Sequence, residues 1–328
     1  MKVLVVTNMY PTADRPYFGI FVKEQVDAIK KVHPDVDYDI YSIDGGGVNG
    51  KSKWLSLINY LKSIADVDKI LRTKHYDLVH IHYGFSGFYL LNPFHKRIPV
   101  LLTLHGGDIQ PEQGKQFQVF ATRKILRQAS YAITLNERMD DIVQNYIKKT
   151  KIIPCSVDTS LFEPSHNNSQ HHNTKPLIVF PSDKNRYVKN YPLFEETLTL
   201  LKTQYGFDSS ISEVKNMSRS EVRELYQKAD LMLMTSISEG SPQVVKEAMA
   251  CNLPVVSTPV GDVSILLNGV KGCAVSEKHE ASELAKLAND SLSGMLDGIN
   301  GCDQIKKLGL DSETVANKIY EIYQMLAK

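Results

Sequence analysis

Net charge is almost absent from this sequence: 38 Lys and Arg stand against 37 Asp and Glu, a formal +1 over 328 residues. The balance removes the general electrostatic case for a nucleic-acid partner, whose phosphates call for a basic surface. Cysteine is scarce. Cys155, Cys251, Cys273 and Cys302 form no C-x-x-C pair and no Cys/His cluster with metal spacing. They read as free thiols of a reducing compartment, not as a disulfide framework or a zinc site. His80 and His82 have no acidic or Cys partner nearby in sequence and read as residues of a strand end. Long apolar runs are missing as well, with nothing near the roughly 20 residues of a membrane span. Val3–Val6 is stopped by Asn8 and Pro11, too soon for the apolar core of a secretory signal, so a cytoplasmic protein is expected. No G-x-G-x-x-G follows the first apolar run, which argues against a dinucleotide-dependent dehydrogenase.

What is present is a rhythm. Short β-branched runs predict strands at Val3–Thr7, Asp39–Ile43, Leu78–His82, Val100–His105, Tyr131–Leu135 and Ile152–Val157. Helical spacing separates them, from Phe21 to Ile29, Trp54 to Ile64 and Phe117 to Leu126. A chain of this length exceeds one core. The stretch Pro164–Pro176, PSHNNSQHHNTKP, carries no apolar side chain beyond its prolines and reads as a linker, dividing a domain over 1–163 from one over 177–312. The rhythm then resumes. Strands are predicted at Leu177–Phe180, Leu231–Thr235, Pro254–Ser257 and near Gly272–Val275, and helices at Tyr191–Leu201, Ser220–Ala229, Pro242–Ala250 and Glu313–Leu326. Continuous apolar strands alternating with helices imply an α/β protein of two Rossmann-like, doubly wound parallel sheets. Ligands bind such sheets at the carboxyl ends of the strands, and a cleft between the domains is the expected site.

Leu231–Gly261 carries the most chemistry. An apolar strand ends at Thr235, and a short loop holds Glu239 and Gly240. Ser241 is expected as N-cap and Pro242 as first helical residue, leaving the amides of Gln243 and Val244 free to meet a phosphate. Glu239 and Glu247 are eight positions apart, one in the loop and one in the helix. They suit two hydroxyl pairs along an elongated ligand, such as a ribose and a hexose. An isolated E-x7-E would be one capping carboxylate and one solvated residue; the strand–loop–Ser-Pro–helix context favours a ligand.

This stretch, EGSPQVVKEAMACNLPVV from Glu239 to Val256, resembles the donor-site signature of glycosyltransferase family 4, retaining enzymes with the GT-B fold. The resemblance implies that Glu247 holds the nucleotide ribose and that Glu239 and the backbone of Gly240, Ser241, Pro242 and Gln243 hold the donor sugar. It places the amide of Val244 at the distal phosphate. Asn252 stands where the family has Gly, at a turn whose left-handed backbone Asn tolerates. Further stretches agree. Asn8–Phe21 is similar to the family's first loop and puts Gly19 near the donor phosphates, though an ordinary loop glycine would look the same. Leu102–Asp108 is similar to its T-x-H-G segment and gives His105 the transferred sugar; Asp108 either binds acceptor or caps a helix. Ile153–Phe162 resembles the segment that leads into the linker, with Ser156 in place of Gly. In Phe180–Asn190 the diphosphate would meet Lys189 and either Arg186, the preferred choice for its fork of donors, or Lys184. Between Lys202 and Ser220 a βα unit looks trimmed, and the family's last helix, here 313–328, is expected to return to the first domain.

The implied reaction moves a hexose from a UDP- or GDP-sugar to a glycan or lipid-linked acceptor with retained configuration, and needs no cofactor and no metal. Asp35-Val36-Asp37 and Asp66-Val67-Asp68 match a metal-binding triplet only in spacing. The loop Asp44–Lys53 and the helix Trp54–Ile64 offer contact with a lipid-linked acceptor or peripherally with the inner membrane face, but burial of that helix against the sheet is the simpler reading. Two alternatives remain: a non-catalytic nucleotide-sugar-binding relative, and a sugar-nucleotide epimerase or phosphorylase on the same fold.

Overall fold

A computed structural model describes residues 1–44, 53–111, 115–165, 175–294 and 299–328. Most of the Asp44–Lys53 loop and of the Pro164–Pro176 linker lies outside the described residues. The chain divides into two compact units, Met1–Cys155 with Glu313–Lys328, and Ser156–Ser312. The division falls earlier than the expected boundary after 163. Val157 and Phe162 are the reason: both are fully buried in the core of the second unit, and the Val157 amide donates to Leu310 O at 2.9 Å.

In the first unit six strands, β1 (Lys2–Thr7), β2 (Asp37–Ser42), β3 (Leu78–His82), β4 (Val100–Thr103), β5 (Tyr131–Thr134) and β6 (Thr150–Ile152), form one sheet in the order β2-β1-β3-β4-β5-β6. Every pairing in it is parallel. Strand side chains alternate between faces. Leu4, Val6, Val79, Ile81 and Leu102 therefore enter one core, while Val3, Val5, Leu78 and Leu101 enter the other. The second face is covered by α1 (Ile20–Val32), through Val22, Val26 and Ile29, and by the chain's last helix, Ser312–Leu326, through Val315, Ile319, Ile322 and Tyr323. The other helices of the unit are α2 (Lys53–Thr73), α3 (Gln116–Leu126) and α4 (Glu137–Val143). α2 buries Tyr60, Val67 and Leu71 in the first core and leaves Ile58 and Leu61 exposed, so the helix has a packed face.

The second unit holds β7 (Leu177–Phe180), α5 (Tyr191–Tyr205), β8 (Ser210–Glu213), α6 (Arg219–Lys228), β9 (Leu231–Met234), α7 (Gln243–Ala250), β10 (Val255–Ser257), α8 (Val263–Leu266), β11 (Ala274–Val275), α9 (Ala281–Ser293) and α10 (Gly301–Lys307); the last helix is α11. Its sheet, again parallel, runs β11-β10-β9-β7-β8. β8 was not expected. Its sequence, Ser-Ile-Ser-Glu, is polar and half exposed because it lies at the sheet edge, so no apolar run announces it. The βα unit is present in short form, not trimmed away. α6 begins at Arg219 rather than Ser220, with Ser218 and Glu221 forming a reciprocal capping box. All four cysteines are free, Cys251 and Cys302 buried, Cys155 and Cys273 partly so. Among the described residues no helix is long and apolar enough to cross a membrane.

Candidate active site

In both sheets the strand order reverses beside the first strand of the unit: β1 lies between β2 and β3, and β7 lies between β8 and β9. Loops leaving the two strands at such a point diverge and leave a crevice at their carboxyl ends. Of the sequence-predicted residues, Gly19 follows β1, Arg186 and Lys189 follow β7, and Glu239 to Glu247 follow β9, whereas His105 follows β4.

In the second unit, Lys189 follows β7 and Glu239 follows β9. Lys189 Nζ lies 2.5 Å from Glu239 Oε1, and Ser236 Oγ donates to the same oxygen at 2.7 Å. Lys189 is only 8% exposed, so its charge is committed to this corner. The loop is tied down by Thr235, whose hydroxyl meets the carbonyls of Lys189 and Asn190, both at 3.1 Å. Arg186 is not brought to this pair: its side chain is exposed, as is that of Lys184, which lies over the Tyr191 ring.

Ser241 does not cap α7, and Pro242 is not its first residue. Pro242 has an extended backbone, φ −69° and ψ 116°, and the helix starts at Gln243. The hydroxyl of Ser241 is recruited instead by two buried charges. It donates to Asp262 Oδ2 at 2.6 Å and accepts from Lys246 Nζ at 3.0 Å. Burial raises the Asp262 carboxyl, against the opposing pull of Lys246. This brace fixes the Gly240–Pro242 loop from below. Gly261 packs on the same loop with φ +57°, and a Cβ there would fall 2.5 Å from the Gly240 carbonyl oxygen. Gly261→Ala is thus expected to displace the loop and lower kcat/KM about 100-fold at most, with the fold retained, as steady-state kinetics and circular dichroism would read. At the helix opening, the amides of Gln243 and Val244 have no hydrogen bond among the described residues. The Gln243 side chain turns away and donates to Ser156 O at 2.6 Å.

Glu247 is 2% exposed, and its Oε1 receives Arg219 Nη2 at 2.8 Å. Oε2 has no hydrogen-bond partner among the described residues. Sequence reasoning missed Arg219, although the S-x-x-E run at Ser218–Glu221 marked it as the first residue of a helix. Asn252 has φ +56°, as the Asn-for-Gly reading requires, and its side-chain oxygen also accepts the Cys302 amide at 2.9 Å.

In the first unit, Gly19 opens α1 with φ +67°, and a Cβ would fall 2.3 Å from the Met9 carbonyl. Backbone packing alone therefore demands this glycine. Two residues on, Phe21 packs against His105, ring centroids 5.0 Å apart. Asp108 is fully buried, accepts the amides of Gly84 at 2.8 Å and His105 at 3.0 Å, and so braces backbone. Burial raises its carboxyl to about 6 despite those amides. Tyr83, after β3, has φ +70°, a strained backbone for a bulky residue of the kind that gathers at working sites. His80 and His82 lie at the end of β3, as expected, and both are fully buried. Among the described residues no group of three His, Cys, Asp or Glu is placed to hold a metal ion.

Two parallel Rossmann-like units in one chain define a GT-B glycosyltransferase fold. The chain belongs to the family 4 and group 1 glycosyltransferases: the model "Glycosyltransferase Family 4" matches residues 21–161 and "Glycosyl transferases group 1" matches 193–293. It is 24% identical to TuaC of Bacillus subtilis, a glycosyltransferase named for teichuronic acid biosynthesis, over 81% of this chain and 83% of that one. Among solved structures it is similar to sucrose-phosphate synthase from Thermosynechococcus elongatus, with TM-score 0.79, 16% identity and coverage of 99% and 98%. Anabaena HepE in complex with UDP-glucose is also similar, with TM-score 0.73, 16% identity and coverage of 99% and 100%.

Proposed function

We propose that this chain is a retaining hexosyltransferase that takes a hexose from a UDP- or GDP-sugar and passes it to a glycan or lipid-linked acceptor, with no cofactor and no metal ion. The observation that carries the reading is the convergence, at the β7/β9 reversal, of Lys189, Glu239 and the open amides of α7. Glycosyl transfer builds positive charge on the sugar ring and negative charge on the departing diphosphate. Lys189 and the amides of Gln243 and Val244 supply a positive field for that diphosphate, which is the task a metal would otherwise perform. Glu239 and the Gly240–Pro242 backbone hold the sugar hydroxyls. Glu247, steadied by Arg219 at one oxygen, offers the other to the ribose. Arg186 reaches the diphosphate only if its exposed side chain reorients on binding. By family resemblance, Gly19 is assigned to the donor phosphates and His105 to the sugar. The complexes of the similar Anabaena HepE with UDP and UDP-glucose favour uridine as the base. Proton NMR of the sugar released or transferred from UDP-glucose, with and without a chelator, tests the reading. A product of retained anomeric configuration, formed equally with chelator, is expected; an inverted product or a chelator-sensitive rate would contradict it.

A further inference from the structure

Three histidines form a row on the face of the first sheet covered by α1 and α11. His80 and His82 share that face of β3, and His105 follows β4 in the same alternation as Leu101 and Thr103. The His80 and His82 rings are 4.1 Å apart, and those of His82 and His105 are 5.6 Å apart at 21°. Both nitrogens of His80 are satisfied by hydroxyls, Nδ1 by Tyr323 at 2.6 Å and Nε2 by Thr103 at 2.8 Å. His82 differs. Its Nδ1 lies 3.3 Å from His105 Nε2, and its Nε2 is sealed from solvent with no partner. The Asp108 carboxylate is engaged with backbone amides and takes no part in the row.

We propose that His82 is a positioning residue that donates its Nδ1 proton to His105 Nε2, and so locks His105 in the tautomer that presents Nδ1–H to the transferred sugar. A neutral His82 carries one proton, and two arrangements are open. If His105 donated to His82, the His82 proton would sit on Nε2, a buried donor without an acceptor. If His82 donates, the orphan is only a lone pair. Orphaned buried donors are rarer in folded proteins than under-satisfied acceptors, so the second arrangement is favoured. The Nδ1 of His105 has no partner among the described residues and is the nitrogen left for a ligand. Burial lowers His105 to about 4 and His82 well below the ordinary histidine value, so the lock holds at neutral pH. With an N–H facing the sugar, the His105 ring donates to a sugar oxygen and cannot act there as a base.

The catalytic purpose of this lock rests on the glycosyltransferase reading, but the lock itself can be read without any donor. Nitrogen-15 NMR of the histidine-labelled full chain, with His105 assigned from the spectrum of His105→Gln, is expected to show His105 protonated at Nδ1. In His82→Phe the His105 signals should move to a tautomer mixture. His82→Asn, whose side-chain amide can replace the donating Nδ1, should restore the Nδ1–H form. With UDP-glucose as the probe, His82→Phe should lower the rate of UDP release about tenfold at little change in KM, and His82→Asn should recover most of it. A His105 protonated at Nε2 in the wild type, or a tautomer unmoved in His82→Phe, overturns the proposal. The expected tautomers without any engagement of UDP-glucose by the wild type would leave the lock standing and overturn its role in sugar transfer.

Discussion

Replacing Lys189 by methionine is expected to lower kcat about 100- to 1,000-fold while the protein still folds. The magnitude is that of removing one preorganised group from a developing negative charge. No neighbour stands in for Lys189 in this structure, since Arg186 is exposed and Lys184 lies over the Tyr191 ring. The same substitution leaves Glu239, whose side chain is 16% exposed, without its cation. Breaking such a pair costs up to about 3 kcal/mol, less here because some solvent reaches both groups. Lys189→Met paired with Glu239→Gln should therefore regain stability in urea denaturation without regaining turnover. Recovery of both would show that the pair is a structural bridge only; loss of neither would show that it serves neither stability nor turnover.

Acid should destabilise the first unit steeply. Burial depresses His80 to about 3 and His105 to about 4, and lowers His82 as well. A histidine with a depressed folded value contributes stability that is fully present above its unfolded value, about 6.5, and is lost as pH falls toward the folded value. Asp108 acts in the opposite sense. Its carboxyl is raised to about 6, so its contribution is present below about 3.9 and lost as pH rises through 6. Between about pH 6 and pH 5 the depressed histidines outweigh the single raised carboxyl, so the unfolded chain binds more protons than the folded one and stability falls as pH falls. Each proton of that difference corresponds to on the order of 1 kcal/mol per pH unit. Urea denaturation at pH 7, 6 and 5 reads the slope. His80→Asn should flatten it by on the order of 1 kcal/mol per pH unit; an unaltered slope would mean that the buried row is hydrated and titrates normally.

Much of this architecture was legible because parallel strands buried on both faces leave continuous apolar runs. Leu78–His82 and Leu177–Phe180 are found where those runs lie. β8 was illegible because an edge strand has little to bury, and its Ser-Ile-Ser-Glu carries no run. Glu239 and Glu247 could be singled out because strand–loop–helix punctuation surrounds them, and Lys189 through the family resemblance. The partner of Glu247 could not: Arg219 reaches it only through the fold, which a linear pattern does not encode. The same holds for Ser241, which looks like an N-cap until Lys246 and Asp262 are seen beside it. His82 shows the limit most clearly, since its importance lies in one ring nitrogen that has a partner and one that has none.

The most direct test of donor binding is thermal unfolding of the protein with UDP-, GDP-, CDP- and ADP-sugars, repeated on Glu247→Ala. Ligand that binds only the native state stabilises it by about 2.7 kcal/mol at a hundred times Kd, a shift of a few degrees for a protein of this size. One nucleotide class, expected to be UDP, should raise the transition in the wild type and fail to do so in the variant, because the ribose loses its carboxylate. No shift with any donor, or an equal shift in Glu247→Ala, would contradict the assignment of this site to a nucleotide sugar.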